Sequence, residues 1–384
     1  MKLFPLSQLF FAVFWATQAK LPVVAADSCP LGAYAVGVRT EVFVDEDRTC
    51  PITGKPRTLV TEIWYPVAKD SEPTQTNKFS DFWSRPGGQA MGALVINRFG
   101  GDFDQLNASF KNVAMRDAPI DKCTFPLLIF SHGNGGLRHQ NTFQAEYLAS
   151  HGYVVASADH TGNAAATILP DQVVIYSQET QKRERYDDRA HDISFLITRL
   201  GELANDKEHW LHVRLDLEHL GAFGHSFGGF SVCRAAELDP RIKAILPMTL
   251  AGTAPKVEDS PACKVPLLVI LADADRTVKE AGNELSTAYF EAAIGPKYLL
   301  NFKDAGHYTF TEMLQINPDW GDGIGIEKDD DGNVTLTYSD AQEDQRITNE
   351  YTLAFFDAYL RDDTEAKVFL KENHYPEEFE YRRE

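Results

Sequence analysis

From residue 126 onward, short apolar runs alternate with stretches whose apolar residues recur every third or fourth position. PLLIFS (126–131), YVVASA (153–158), HLGAF (219–223), KAILPM (243–248), PLLVILA (266–272) and KYLLNF (297–302) are too short for helices. They suit strands covered on both faces. Between them, Phe143, Tyr147 and Leu148 share a helical face that ends before Gly152. Ile193, Leu196, Ile197 and Leu200 follow the i, i+3, i+4, i+7 spacing of an amphipathic helix. SFGGFSVCRAAEL opens another helix, about a dozen residues between 272 and 297 a further one, and Ile347, Tyr351, Ala354, Phe355 and Ala358 a last one. Upstream, AVGVRTEVFV (35–44) and TLVTEIWY (58–65) flank a loop containing Pro51, Gly54 and Pro56, which predicts a hairpin. The pattern predicts an α/β protein with a mainly parallel, eight-stranded sheet and helices on both faces.

Residues 66–120 break the alternation. They are polar and irregular apart from FWSRPGGQAMGALVINRF (82–99). That patch is too short to close a core of its own, so the segment reads as an insertion in one domain spanning 27–384. Its apolar residues Phe82, Trp83, Met91, Leu94, Val95, Ile96 and Phe99 are expected to pack over the rim of the functional site and limit the size of what enters it, the alternative being that they pack on a distant face as ordinary core. At the start of the chain, Met1 and Lys2 precede an apolar run that closes on small residues at Val24 and Ala26. This is the pattern of a cleaved secretory signal over residues 1–26, and the expected location is secreted or periplasmic. No comparably apolar stretch follows, so no stable membrane span is expected.

Formal net charge is −19. An excess of acid on that scale repels nucleic acid and anionic lipid, so neither is expected as a partner. Five cysteines are too few for a disulfide scaffold. Cys29 and Cys50 flank the first strand and could pair in an oxidising compartment, while Cys233 reads as a buried small apolar residue. No CxxC or Cys/His cluster suggests a metal, and no cofactor motif is present. Asp329-Asp330-Asp331-Gly332-Asn333 has part of a calcium loop without its alternating ligands, and reads as a solvated turn.

The strongest chemical signal is Gly224-His225-Ser226-Phe227-Gly228-Gly229. It fits G-x-S-x-G between an apolar strand and a helix, the context in which such a serine sits on a sharp turn above the sheet of an α/β-hydrolase. A hydroxyl needs a general base, and the base needs an orienting carboxylate. In this fold they follow the serine in the order acid, then histidine. After the 266–272 strand the chain reads Asp273-Ala274-Asp275-Arg276-Thr277-Val278, where the D-x-x-V spacing selects Asp275 and leaves Asp273 as rival. After the 297–302 strand, Gly306-His307 supplies the base. Two backbone donors for a developing oxyanion are expected at Phe227, after the nucleophile, and at Asn134, in the turn His132-Gly133-Asn134-Gly135-Gly136. His132 reads as a support for that turn. His160 could line the pocket or be structural.

FSHGNGG, YLASHGYVVASADHTGN, GHSFGGFS and AGHYTF together resemble the platelet-activating-factor acetylhydrolases and their dienelactone-hydrolase-like bacterial relatives, over roughly residues 35–360. The resemblance implies metal-free hydrolysis of short or oxidised acyl esters. In the vertebrate-type acetylhydrolases the acid follows the sixth strand, where this chain has Leu246-Pro247-Met248-Thr249 and no carboxylate. That supports Asp275 and weakens phospholipid specificity. Dienelactone hydrolases proper use cysteine where this chain has Ser226. The expectation is therefore a secreted serine esterase for short-chain acyl esters, with a polyester, cutinase-type or lipid esterase as the alternative. A non-catalytic binding protein on the same fold is the reading from another class.

Overall fold

The computed structural model describes residues 31–68, 75–251, 262–329 and 331–384. The leader expected over 1–26 and the Cys29 side of a Cys29–Cys50 bridge lie outside these residues. Cys50 itself is buried beside the Arg57 guanidinium.

Ten strands form one sheet: β1 (Val36–Thr49), β2 (Pro56–Pro66), β3 (Met115–Arg116), β4 (Phe125–Ser131), β5 (Val154–Ala158), β6 (Leu215–His225), β7 (Ile242–Met248), β8 (Leu267–Ala272), β9 (Lys297–Phe302) and β10 (Phe379–Arg383). Their order across the sheet is β10-β9-β8-β7-β6-β4-β5-β2-β1-β3. The six strands from β9 to β5 run parallel, the β1–β2 hairpin joins antiparallel through β2, and β10 closes the far edge antiparallel to β9. This is the α/β-hydrolase fold, with two strands more than the eight expected. Both extra strands are edges. β3 has only two residues, and β10 (FEYRR) carries charge at most positions, so neither resembles a buried run.

The parallel strands are apolar on both faces because each face is covered. Leu128 and Phe130 of β4 point into a core shared with α3 (Thr142–Ser150) and a late helix, here α7 (Ala341–Leu360). Leu127 and Ile129 point the other way, to α4 (Asp188–Asn205), α5 (Phe227–Leu238) and α6 (Lys279–Ala292). The period-two alternation is therefore present inside runs that look uniformly apolar in sequence.

The insertion contains α1 (Gly88–Arg98) and α2 (Phe103–Ser109). Phe82, Trp83, Val95 and Ile96 are buried in the α3/α7-side core, and the Phe82 ring stacks on His139 at 4.5 Å. Leu94 is exposed, and of the apolar patch Phe99 alone lines the cavity above the sheet. The insertion thus behaves chiefly as additional core. Buried charge fastens it: Arg116 lies 3.1 Å from Glu62 of β2, and Arg138, paired with Glu62 and with Asp159 at 2.8 Å, also donates to the Phe82 carbonyl.

Phe356 of α7 shows how closely the helical layer sits on the sheet. Its ring lies against Gly221 of β6, where an added Cβ would come within 2.7 Å of it, and 6.2 Å from the Phe223 ring. Phe356→Ala is expected to cost ~3–5 kcal/mol, the usual range for truncating a fully buried aromatic. Urea denaturation measures this, and a loss below ~1 kcal/mol would contradict the packing described.

Candidate active site

β6 ends at His225, and α5 starts at Phe227. Between them Ser226 adopts φ 58° and ψ −124°, a conformation that costs a non-glycine residue about 1–3 kcal/mol. The turn is held by its surroundings. Ser226 N–H donates to the Met248 carbonyl of β7 at 2.9 Å. A Cβ on Gly228 would overlap the Ser131 carbonyl oxygen, and one on Gly224 would overlap the Gly228 carbonyl. Both glycines of the motif are required by backbone approach.

Three loops at the carboxyl ends of the strands converge here. His307, after β9, has its Nε2 2.9 Å from the Ser226 hydroxyl and its Nδ1 2.7 Å from Asp275 Oδ2. The other Asp275 oxygen accepts from the Thr277 and Val278 amides at 2.9 and 2.8 Å, which fixes the carboxylate after β8. His307 Nδ1 therefore donates to Asp275 and Nε2 accepts from the serine, the arrangement a general base needs. Asp273 is exposed and accepts from the Asp304 amide at 2.7 Å, so it serves the turn.

Asn134 lines the same cavity as Ser226, and a Cβ on the neighbouring Gly133 would lie 3.4 Å from Ser226 Cβ. Among the described residues, neither the Asn134 nor the Phe227 amide donates a hydrogen bond. As the first residue of α5, Phe227 has no acceptor within its own helix. Of the two expected donors, Asn134 lines the cavity, while Phe227 is buried at the start of α5 and is not among the cavity-lining residues.

Beneath this loop lies a buried polar network. His160 stands 2.9 Å from both Asp192 Oδ2 and the Ser131 hydroxyl, while Arg57 donates to both Asp192 oxygens at 2.6 and 2.5 Å. Arg189 donates to the Ser131 hydroxyl and to the His132 carbonyl. Burial and the Arg189 charge push His160 down to about 3, so the ring is neutral and structural; it does not line the cavity. His132 is neutral for the same reasons, and its Nε2 accepts from the His160 amide at 3.1 Å.

Residues not anticipated from the sequence complete the site. Asp322 accepts from the amides of Arg276 and His307 at 2.8 and 3.0 Å, and from the Thr277 hydroxyl at 2.7 Å. It stitches the acid loop to the base loop. His225 and Gln140 line the cavity, as do Leu137, Tyr308, Met313 and Ile316, in a volume of about 240 Å³. Gln140, Leu137, Met313, Ile316 and Asp322 have no local sequence signature, and His225 occupies a variable position of G-x-S-x-G. Among the described residues no group of side chains is arranged to hold a metal ion, and no helix is long and apolar enough to cross a membrane. Asp329 accepts from the Asp331 and Asn333 amides, which closes a turn; Asp330 is outside the described residues.

Comparison with known proteins adds kinship. A family model described as platelet-activating factor acetylhydrolase, isoform II, matches residues 31–194, and one described as PET hydrolase-like matches 138–316. Platelet-activating factor acetylhydrolase of Canis lupus familiaris is 29% identical over 148 residues, 31% of this chain and 33% of the relative. Cutinase 2 of Thermobifida cellulosilytica is 27% identical over 157 residues, 41% of this chain and 50% of the relative. The matched stretch thus spans a third to a half of these curated relatives. Among solved structures, a ferulic acid esterase from Streptomyces cinnamoneus superposes with TM-score 0.66 at 25% identity, covering 88% of this chain and 94% of the other.

Two buried carboxyls adjoin the site. Glu312, which lines the cavity, accepts from the Phe143 amide at 2.7 Å, and Glu146 accepts from the Val113 and Ala114 amides at 2.9 Å each. Burial raises Glu312 from 4.5 to about 7, and burial with the Glu312 charge raises Glu146 to about 8. The folded protein therefore keeps protons that the unfolded chain releases, and both acids make stability fall as pH rises from about 4.5 to 8. Denaturation curves of wild type and Glu312→Gln are expected to diverge over this range, the variant gaining relative stability as pH rises. Parallel pH dependences would contradict the assignment.

Proposed function

We propose that this member of the α/β-hydrolase superfamily is a serine carboxylic-ester hydrolase of the cutinase type. The observation that carries the reading is the hydrogen-bonded series Asp275–His307–Ser226 ending in a cavity. Ser226 attacks the ester carbonyl as His307 takes its proton, and the C–O bond to the alcohol breaks as His307 returns that proton to the leaving oxygen. Asp275 holds the imidazole in the tautomer this requires and stabilises its transient charge. The Phe227 and Asn134 amides receive the negative charge on the carbonyl oxygen. Water, deprotonated by His307, then attacks the acyl-enzyme and releases the acid.

For the substrate class, an apolar acyl group of appreciable size, aromatic rings included, is favoured over acetyl. The PET hydrolase-like match spans Ser226, Asp275 and His307, whereas the acetylhydrolase match ends at residue 194, before all three. The insertion contributes only Phe99 to the cavity, so it does not cap a small acyl pocket. Phe99 and Tyr308 line the cavity, and both rings pack edge-on against Trp320, at 6.0 and 5.5 Å. Such a wall suits a planar or extended apolar group, and each methylene it covers contributes up to ~0.8 kcal/mol.

Ser226→Ala is expected to lower turnover by ~10⁴–10⁶-fold with the fold intact, because the three residues act as a unit. Asp275→Asn is expected to cost ~10³–10⁴-fold, and Asp273→Asn far less; the opposite ranking would move the acid. On p-nitrophenyl esters, kcat/KM is expected to hold or rise from butyrate to octanoate, with hydrolysis of a cinnamate ester alongside. A maximum at acetate with a steep fall beyond butyrate would return the reading to a short-chain acetylhydrolase.

A further inference from the structure

Gln140 sits between the oxyanion loop and α3, and its side-chain amide joins two parts of the site. Oε1 accepts from the Gly133 amide at 3.0 Å, and Nε2 lies 3.0 Å from His225 Nδ1. His225, immediately before the nucleophile, places Nε2 2.8 Å from the main-chain carbonyl of His307. The protons on this chain are fully determined. A carbonyl only accepts, so His225 Nε2 carries the hydrogen. Burial, reinforced by the neighbouring His307, keeps His225 neutral, which leaves Nδ1 as an acceptor. Its donor is the Gln140 NH₂ group, and the amide oxygen is thereby turned to Gly133. The fit leaves no slack, since a Cβ on Gly136 would overlap Gln140 Oε1. Gln140 is anchored in turn through its own carbonyl, which accepts from the Glu312 amide at 2.9 Å.

We propose that Gln140 and His225 form a positioning bridge that sets the oxyanion loop and the histidine loop in fixed relation. Neither residue takes part in proton transfer. The bridge links Gly133, next to the Asn134 donor, with the backbone of His307, across the base of the cavity. It rests on the catalytic reading of Ser226 and His307 given above. The two loops arise after different strands, β4 and β9, which are not neighbours in the sheet. Sheet pairing alone therefore does not fix their separation, and an error of about 1 Å between base and oxyanion donors can cost on the order of 10²-fold in rate.

The test compares Gln140→Leu, His225→Leu, the double variant and His225→Gln, using steady-state hydrolysis of p-nitrophenyl butyrate, fluorophosphonate labelling and thermal melts. Gln140→Leu and His225→Leu are each expected to lower kcat by ~10–100-fold with KM within about threefold. The double variant should lose no more than the worse single variant, because the two residues act in one chain. His225→Gln offers an acceptor toward Gln140 and a donor toward the His307 carbonyl, and is expected to recover kcat to within about fivefold of wild type. Gln140→Leu with more than half of wild-type kcat would overturn the bridge, as would additive losses in the double variant. If Gln140→Leu does not fold, His225→Gln against His225→Leu decides, and equal kcat in those two overturns it. A wild type that neither hydrolyses the ester nor takes the label sinks the catalytic reading itself; an active wild type with indifferent bridge variants sinks the bridge alone.

Discussion

The arrangement depends on how closely the start of α5 approaches the end of β4. Only a hydrogen fits between the Gly228 Cα and the Ser131 carbonyl. This contact sets the nucleophile turn and the oxyanion loop side by side, and it lets Ser226 keep a backbone conformation it would not hold in isolation. The strain is sustained by neighbours on every side: the Met248 carbonyl takes the Ser226 amide, while Gly224 and Gly228 make room for each other. The geometry of this turn is therefore a property of packed backbone more than of side-chain choice.

Charge is distributed in keeping with that scheme. The chain is strongly acidic overall, yet Arg57, Arg138 and Arg189 are buried, and each is spent on fixing a backbone segment. Arg138 joins the insertion to β2 and to the end of β5, and Arg189 holds the oxyanion loop from below. The carboxylates of Asp192, Glu62 and Asp159 offset the desolvation of Arg57 and Arg138, whereas Arg189 donates only to the neutral oxygens of Asn163, Ser131 and His132. A buried pair of this kind contributes little net stability, but removing one partner leaves an uncompensated charge and costs ~3–5 kcal/mol. Such networks specify one geometry for a loop that carries no regular secondary structure.

The parts of the structure visible in the sequence are those with a local signature. Buried strands are short apolar runs, α4 has its 3.6-residue stripe, and G-x-S-x-G names the turn at Ser226 together with its two glycines. Asp275 and His307 follow from chain order, and the structure brings His307 into hydrogen-bonding reach of both Asp275 and Ser226. Features that depend on long-range approach had no such mark. β10 is charged because it is an edge, so its pattern resembles a solvated tail. Gln140, His225 and Asp322 act through partners 15 to 85 residues away in sequence for most of their contacts. The insertion misled for a related reason: an apolar patch reveals that it is buried, without revealing which surface it is buried against.

Asp322 and Asn317 belong to one short excursion after His307. Asp322 grips the His307 and Arg276 amides, while Asn317 Nδ2 donates to the Phe99 carbonyl of the insertion at 3.1 Å. Trp320 lies between them, against both Phe99 and Tyr308. The support for the Phe99–Tyr308 wall of the cavity and the brace on the His307 loop thus lie within the same six residues, 317–322. On the proposed catalytic reading, remodelling the pocket from this side would also shift the His307 loop, so selectivity and turnover would change together.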